Sequence, residues 1–311
     1  MNLTATNKPL AQHDRYPSRG ALKARLVERK DPVVYAPNHV AAPIDEQLVE
    51  QYKEQGFIVL DNVFTKQEII GFRQELDRLR HDNAIKASDE TITEPGSGEV
   101  RSIFRIHEVS TVFKKLSADI RLAGLAQFLL DDRVYIHQSR LNYKPGFRGK
   151  EFFWHSDFET WHVEDGMPAM RALSMSITLT DNHNNNGPLM LTPGSHQKYV
   201  VCEGDTPDEH FKSSLKKQEF GVPSDDQLRQ LVTEGGITTA TGKPGSVIIF
   251  DCNTLHGSNG NITPFPRSNA FFVYNAISNQ VGQPFCQQPP RPEFICTRRQ
   301  IRPVMTGNTH E

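Results

Sequence analysis

Two histidines and one aspartate have the types and the spacing of a metal site. His155 and Asp157 are separated by one residue in a segment with β-strand character, where residues two apart point to the same face. His256 follows the apolar run VIIF and would approach the same ion from a distant strand. Two imidazoles and one carboxylate leave three positions of an octahedron open, as in non-haem Fe(II) oxygenases. These three residues are therefore predicted to bind Fe(II).

Two further polar residues follow the distal histidine. Ser258 lies two residues after His256, and Arg267 stands just before the apolar run NAFFVYNAI. A guanidinium group can form two parallel hydrogen bonds with a carboxylate. We therefore expect Arg267 to bind the distal carboxylate of a 2-oxoglutarate co-substrate. The remaining histidines of interest lack a partner at ligand spacing and are predicted to be structural: His107, His137, His162, His183 and His196.

Short β-prone runs separated by turns dominate the chain from Val134 onward. The runs are VYIHQSRLNY, EFFWHSDF, RALSMSITLTD, GPLMLTPG, GSVIIFD and NAFFVYNAI. Many short strands with regular turn signals predict a sandwich or barrel. One polar stretch between them, KSSLKKQEFGVPSDDQLRQLV, is predicted to be helical or irregular.

The N-terminal third is predicted to be richer in helices. IDEQLVEQYKEQG and LSADIRLAGLAQFLLDD have apolar residues near helical spacing, and FIVLDNVF has strand character. TKQEIIGFRQELDRLRHDN is predicted to be a helix that begins with a capping box of Thr65 and Glu68. Residues 84–100 are polar and contain PGSG, so we expect a loop there. Whether this loop acts as a lid is left open by the sequence.

The chain is expected to form an arm and one catalytic domain. Residues 1–40 have no hydrophobic period, so we expect them to form an extended, partly mobile arm. The domain would cover residues 41–311, divided into a helix-rich part (41–133), a β core (134–280) and a C-terminal tail (281–311). The class is therefore mainly β with flanking helices.

Composition favours a soluble globular protein. The chain has 311 residues, 37% of them hydrophobic, and a formal net charge of -2, which gives no global attraction to nucleic acid or anionic lipid. No run of 18 apolar residues predicts a membrane span, and the first residues lack the apolar core of a signal peptide, so a cytoplasmic location is expected. The four cysteines form no CxxC pair and are predicted to be free thiols.

A long run around the predicted metal ligands resembles the ectoine hydroxylase family, within the phytanoyl-CoA dioxygenase-like superfamily. The superfamily pattern is an HxD motif, a GPL…PGSH turn and a distal His-Arg pair, and the chain has all three. The run WHSDFETWH, followed by EDGMP and MRALS, is similar to the narrower family. The resemblance extends from about Tyr52 through Ile277.

This resemblance implies a double-stranded β-helix (jelly-roll, cupin-like) core and a homodimer. It implies conversion of ectoine to 5-hydroxyectoine, a step of compatible-solute biosynthesis that gives osmoprotection, with O₂ and 2-oxoglutarate as co-substrates and succinate and CO₂ as further products. Iron ligands match at the three residues above. Co-substrate contacts match at Asn142, Lys144, Ser258 and Arg267, and substrate contacts match at Gln138, Phe153, Trp161 and Asn269.

The predicted substrate contacts suit a small cyclic zwitterion. Aromatic rings such as Trp161 and Phe153 would contact the delocalised amidinium ring of ectoine, and Gln138 would bind its carboxylate. Strand alternation predicts that Phe153 shares the face of His155 and Asp157, and Trp161 continues that odd-numbered series.

Three other functions remain open at the level of the residues. A related dioxygenase would act on proline, another amino acid or an acyl carrier, although no marked Lys/Arg cluster accompanies the motif. A cupin-like module would keep a metal without turnover, but it gives no role to Arg267 and Ser258. A zinc hydrolase would place a glutamate beside its ligands, as in H-E-x-x-H, and the chain has none there.

Overall fold

Antiparallel sheets form the centre of the molecule. The computed structural model describes residues 13–94, 98–215 and 217–307. The strands within these ranges are β1 (Arg25–Glu28), β2 (Phe57–Leu60), β3 (Thr91–Thr93), β4 (Val100–Phe104), β5 (Val134–Lys144), β6 (Phe152–His155), β7 (Ala172–Thr178), β8 (Leu189–Leu191), β9 (Lys198–Val201), β10 (Thr238–Ala240), β11 (Val247–Asp251), β12 (His256–Ser258) and β13 (Arg267–Ala276).

The strands assemble into one large, one small and one two-stranded sheet. The large sheet has the order β2-β11-β7-β13-β5-β4-β3, the small sheet has the order β10-β8-β12-β6, and β1 pairs with β9. Every one of these pairings is antiparallel. This agrees with the predicted mainly β class with flanking helices.

Helices surround the sheets, and most of them belong to the part of the chain between residues 41 and 133. They are α1 (Glu46–Gln55), α2 (Lys66–His81), α3 (Asn83–Lys86), α4 (Ile106–Val109), α5 (Thr111–Ser117), α6 (Leu125–Leu130), α7 (Asp157–Asp165), α8 (Phe211–Ser214) and α9 (Asp225–Gly235), with a π-helix at Ile120–Gly124 and 3-10 turns at Ser195–Gln197 and Ile277–Asn279. None of the helices in the described ranges is long and apolar enough to cross a membrane.

Strand alternation divides the large sheet into a helix-facing side and an interior side. Met175, Ile249 and Phe272 pack in one cluster with helix residues such as Phe72 and Leu129. Their neighbours along the same strands point the other way, because successive side chains of a strand alternate between the two faces. The interior side faces the small sheet, and this space contains the predicted metal ligands.

Most predicted elements are present, and the predicted start of α2 is confirmed. The capping box of α2 is complete, because the Thr65 hydroxyl accepts from the Glu68 amide at 3.3 Å and the Glu68 carboxylate accepts from the Thr65 amide at 2.7 Å. The helix predicted over LSADIRLAGLAQFLLDD is interrupted, since α5 ends at Ser117 and the chain continues as a π-helix into α6. Thus one predicted helix is three helical pieces.

Two loop-like predictions were wrong in part. Residues 84–100 contain most of α3, all of β3 and the first residue of β4, while residues 95–97 lie outside the described ranges. The arm is extended, but from His13 onward it is packed: β1 pairs with β9, and Tyr16 is buried among Phe158 and Tyr199. Residues 1–12 also lie outside the described ranges.

Gly56 provides a test of how α1 is joined to β2. It ends α1 in the left-handed region with φ 84°, and a Cβ atom added there would lie 2.5 Å from His196 Nδ1. Gly56→Ala should therefore lower the free energy of unfolding by at least about 1–2 kcal/mol. Gly71 lies inside α2 with nothing within 4 Å of an added Cβ, so Gly71→Ala should raise it by up to about 1 kcal/mol. Urea unfolding of both variants checks this pair, and a neutral Gly56→Ala would contradict it.

Candidate metal and co-substrate site

The two predicted histidine ligands face each other across neighbouring strands. In the small sheet β12 pairs with β6, and His256 is directly opposite His155. Their ring centroids are 4.2 Å apart. Cross-strand neighbours on one face are close in space, so the register of this pair brings together two residues that are a hundred positions apart in the chain.

Asp157 reaches the same point from a helix rather than from a strand. β6 ends at His155, Ser156 is the N-cap, and Asp157 is the first residue of α7. The prediction that the HxD motif lies on one strand was therefore wrong, because the cap turns the chain into a helix. The outcome for the site is the same: Asp157 Oδ1 lies 3.8 Å from His155 Nε2 and 4.0 Å from His256 Nε2.

The hydrogen bonds of both imidazoles prepare them for metal binding. His155 Nδ1 is 2.8 Å from the Phe153 carbonyl, and His256 Nδ1 is 2.9 Å from the Thr254 carbonyl. A proton on each Nδ1 leaves the Nε2 lone pairs directed at the shared point, which is how metal-bound histidines are usually oriented. Burial, together with the neighbouring His256, lowers the pKa of His155 to about 3, so its imidazole is neutral as a ligand must be.

The spacing of the three ligand atoms fits one ion. Metal bonds of about 2.0–2.2 Å can join ligand atoms that are up to about 4 Å apart. Asp157 Oδ1 lies within 4.0 Å of both histidine Nε2 atoms, and all three residues are buried. The second Asp157 oxygen accepts from the Ser174 hydroxyl at 3.2 Å, which orients the carboxylate. The residues present therefore fit iron.

A second cluster of potential ligands, His137, Asp165 and Cys296, is less suited to a metal. Their ligand atoms also lie within 4.8 Å of one another. However, Arg291 already pairs with both Asp165 oxygens, at 2.8 Å from Nε and 2.5 Å from Nη2. Burial raises the pKa of the Cys296 thiol well above its usual value, which keeps it protonated. An arginine therefore occupies the place of the cation in this cluster.

Two basic side chains lie side by side in the lining of the same cavity. Arg267 and Lys144 are directly opposite each other on β13 and β5, and both line the cavity that contains His155 and His256. The pKa of Lys144 is lowered to about 6, mainly by burial and secondly by the positive charge of Arg267. Burial alone lowers the pKa of Arg267 to about 10, and its Nε atom has no hydrogen-bond partner among the described residues. Such a pair favours an anionic ligand.

Neutral polar groups line the same cavity. Lys144 Nζ donates to the Ser258 hydroxyl at 2.8 Å, and Ser258 is two residues from His256 on β12. Asn142 Nδ2 donates to Asn269 Oδ1 at 3.0 Å, and Asn269 Nδ2 donates to the Ser176 hydroxyl at 2.8 Å. The structure thus places the four predicted co-substrate residues and Asn269 on the same cavity.

The predicted position of Phe153 was wrong. Its side chain is 43% exposed, whereas Phe152 lines the cavity with its ring centroid 5.0 Å from that of His155. A β-bulge is the cause: Ser258 pairs with Phe152 while His256 pairs with His155, so two steps on β12 match three on β6. The extra residue breaks the alternation on which the prediction depended.

Gln138 and Trp161 lie outside the lining of this cavity. The Gln138 amide donates to the Ile295 carbonyl at 2.8 Å. Trp161 is on α7, not on a continued strand, and it is buried with its ring 5.1 Å from that of His137. Their roles in substrate binding stay predictions.

Arg140 is a cavity residue that sequence reasoning missed. It lines the cavity between Phe271 and Phe104, with its guanidinium carbon 4.6 Å and 6.0 Å from their ring centroids, and its Nε has no hydrogen-bond partner in the described ranges. A signal existed in the sequence, because even-numbered positions 138 to 144 of β5 are all polar, whereas a strand inside a core is usually apolar.

Comparison with known proteins identifies the relatives of this arrangement. Residues 52–269 match the family model of phytanoyl-CoA dioxygenase (PhyH). The chain is 54% identical over 293 residues to the ectoine dioxygenase of Stutzerimonas stutzeri (strain A1501). The aligned region covers 94% of this chain and 97% of the relative.

Solved structures agree with the sequence relatives. The crystal structure of EctD from S. alaskensis with 2-oxoglutarate and 5-hydroxyectoine has a TM-score of 0.87 and 49% identity, over 96% of this chain and all of that chain (100%). The structure of EctD from S. alaskensis with bound Fe has a TM-score of 0.86 and 48% identity, with coverage of 96% and 100%. These matches confirm the resemblance inferred from the motif and the jelly-roll class.

The ligand geometry predicts how single substitutions affect metal binding. His155→Ala, Asp157→Ala and His256→Ala should each weaken binding of Fe²⁺ or Co²⁺ strongly, while the fold is retained, because each removes a bond to an ion at an open site. Cys296→Ser in the second cluster should leave both affinity and stoichiometry unchanged. Metal titration with circular dichroism as the folding control measures this. If Cys296→Ser lost the metal and the other variants kept it, the site would be misassigned.

Proposed function

The chain belongs to the phytanoyl-CoA dioxygenase (PhyH) family and, within it, to the ectoine dioxygenases, and from this premise we propose that it hydroxylates ectoine to 5-hydroxyectoine. The reaction uses O₂ and 2-oxoglutarate and releases succinate and CO₂. The observation that carries the substrate assignment is the near full-length match to EctD crystallised with 2-oxoglutarate and 5-hydroxyectoine.

His155, Asp157 and His256 hold the iron in this proposal. Iron with 2-oxoglutarate supplies the oxygen-activating chemistry. The three side chains leave the remaining coordination positions for small ligands, which is what an oxygenase requires. Ser174 fixes the carboxylate and two main-chain carbonyls fix the imidazoles, so the ligands are held in position before any metal binds.

Arg267 and Lys144 bind the distal carboxylate of 2-oxoglutarate, with Asn142 and Ser258 beside them. Support comes from the electrostatics: burial lowers the pKa values of both groups, and a bound carboxylate would raise them again and so stabilise the protonated forms. The planar fork of Arg267 matches a carboxylate, whereas the ammonium group of Lys144 acts as a point charge.

Aromatic side chains keep water away from the reacting atoms. Phe152, Phe250 and Phe271 line the cavity beside the two histidines. The ring centroid of Phe250 is 4.9 Å from that of His256. Excluding water strengthens the electrostatic interactions inside a site and limits side reactions.

Phe152 takes the substrate role that was predicted for Phe153. Its ring can contact the amidinium face of ectoine, an attraction of about 0.5–2 kcal/mol depending on desolvation. Asn269 contributes a polar group to the same cavity. Gln138 on β5 and Trp161 on α7 remain proposed contacts.

A different small substrate is the second candidate. The cavity has a volume of about 120 Å³, which favours a compact molecule over a thioester of coenzyme A. Proline and related amino acids remain compatible with this size. A metal-binding module without turnover would give no role to Arg267 and Lys144.

The wider setting is proposed on the family relationship alone. We expect a homodimer of catalytic domains covering residues 41–311, acting in the cytoplasm in the synthesis of an osmoprotective compatible solute. Light scattering of the purified chain tests the dimer directly.

An aerobic assay with Fe²⁺, 2-oxoglutarate and ectoine tests the proposed function. Succinate and 5-hydroxyectoine should form in equal amounts, and omission of ectoine should suppress most of the succinate. Proline, tested in parallel, should not be hydroxylated at a comparable rate. Hydroxylation of proline without hydroxylation of ectoine would replace this proposal by the second candidate.

Replacing Arg267 tests the co-substrate site. Arg267→Lys keeps the charge but loses the bidentate geometry, and loss of a charge-assisted hydrogen bond costs about 1.5–3 kcal/mol. The KM for 2-oxoglutarate should therefore rise by about tenfold or more, with little change in the KM for ectoine. Arg148→Lys, an exposed arginine, is the matched control and should leave both constants unchanged. Should Arg267→Lys behave like this control, the carboxylate binds elsewhere, with Lys144 the next candidate.

Adjacent phenylalanines give a matched pair for the substrate side. Phe152→Ala removes a ring from the cavity, whereas Phe153→Ala removes one that is largely exposed. Ectoine affinity, measured without O₂ in the presence of Fe²⁺ and 2-oxoglutarate, should fall several-fold in Phe152→Ala and stay constant in Phe153→Ala. The reverse order would show that the bulge in β6 has been misjudged.

A further inference from the structure

The N-terminal arm crosses the helix that carries Asp157. Arg19 is buried and donates Nε and Nη2 to the two carboxylate oxygens of Glu159, at 3.0 and 2.7 Å. Its Nη1 donates to Glu164 Oε1 at 2.7 Å. Glu159 and Glu164 both lie on α7, which begins at Asp157. One arm residue therefore holds two successive turns of this helix.

The same arm also holds the segment that leads to His256. Arg29 is buried, and its Nη1 and Nη2 donate to the two oxygens of Asp251 at 2.7 and 3.0 Å. Asp251 ends β11, five residues before His256, and its Oδ1 also accepts from the Asn253 amide at 2.8 Å. The other Arg29 donors bind main-chain carbonyls, namely those of Asp31, Pro32, Met170 and His196.

The two held segments are also bonded to each other. The Phe158 amide, one residue after Asp157, donates to the Cys252 carbonyl at 2.8 Å. Cys252 directly follows Asp251. Any displacement of α7 therefore moves the segment before His256, and the two arginine pairs restrain the two sides of this link.

We propose that Arg19 and Arg29 are positioning residues of the metal site, which hold Asp157 at the correct distance from His256. The proposal rests on the proposed function only in that the three ligands bind a metal. Each guanidinium group makes a bidentate contact, which fixes both distance and orientation.

The charge distribution of α7 explains why the arm is needed for this. Four of its nine residues are acidic (Asp157, Glu159, Glu164 and Asp165), and all four are buried. Buried carboxylates without partners destabilise a structure strongly. Without Arg19, the Glu159 carboxylate would keep the hydrogen bond from the Ser18 hydroxyl at 2.8 Å but lose its counter-charge, which favours rotation of α7 or opening of its first turn toward solvent. Either movement displaces Asp157, two residues away.

Conservative substitutions along the arm test the proposal. Arg19→Lys and Arg29→Lys keep the charge but lose the planar fork. The matched control is Arg25→Lys, on the same arm, because Arg25 is exposed and its guanidinium contacts only the Lys23 carbonyl at 3.5 Å in the described ranges. The Kd for Co²⁺ is measured from its visible absorption, without 2-oxoglutarate or ectoine, and the unfolding midpoint of the metal-free protein is measured separately.

We expect the Kd for Co²⁺ to rise by about 10- to 100-fold in Arg19→Lys and in Arg29→Lys, as for other residues that orient metal ligands, with no change in Arg25→Lys. The spectrum of the bound ion should also change in the first two. Lower unfolding midpoints with unchanged Co²⁺ affinity and spectrum would overturn the proposal, because the pairs would then only stabilise the fold.

A charge-neutral double variant keeps the test valid if a single variant does not fold. Arg29→Gln combined with Asp251→Asn leaves no unpaired buried charge, so it should fold, and it should still bind Co²⁺ more weakly than the wild type. Wild-type affinity in this variant would contradict the role of Arg29. Wild-type protein that binds Co²⁺ but does not hydroxylate ectoine would refute the proposed function and leave this inference intact.

Discussion

The pairing of β6 with β12 is the constraint on which the site depends. It places His155 opposite His256, and a slip of one residue would send one imidazole to the other side of the sheet. The bulge in β6 lies within this pairing and turns Phe152 toward the cavity. The same few hydrogen bonds between β6 and β12 therefore position both the ligand His155 and the aromatic ring of Phe152. β12 is fixed further on its other edge, where it pairs with β8.

Two kinds of cation surround this pairing, and they have different consequences. Arg19 and Arg29 are matched by carboxylates, so they contribute to order around the ligands without attracting a further anion. Arg267 and Lys144 have no such partner within ion-pair distance in the described ranges, and their lowered pKa values reflect the cost of that isolation. The first kind is suited to positioning and the second to binding, because a buried charge that lacks a protein partner favours a ligand of opposite charge.

Much of this could be read from the sequence where local rules decide the structure. Thr65 with Glu68 predicted the start of α2, and the run before His256 predicted β11. The iron ligands were predicted by residue type and spacing, but their backbone context was not, since Ser156 caps a helix immediately after β6. The position of Phe153 depended on an unbroken strand, and a bulge is not visible in residue types. The packing of the arm could not be predicted, because its contacts, Arg19 to Glu159 and Arg29 to Asp251, join residues that are far apart in the chain.

Anomalous diffraction at the iron absorption edge tests the central claim most directly, with crystals grown without O₂ in the presence of Fe²⁺ and 2-oxoglutarate. We predict one iron peak bonded to His155, Asp157 and His256, and a 2-oxoglutarate molecule whose distal carboxylate contacts Arg267. An iron peak among His137, Asp165 and Cys296, or a 2-oxoglutarate carboxylate bound to Arg140 with Arg267 left without an anion, would contradict the account.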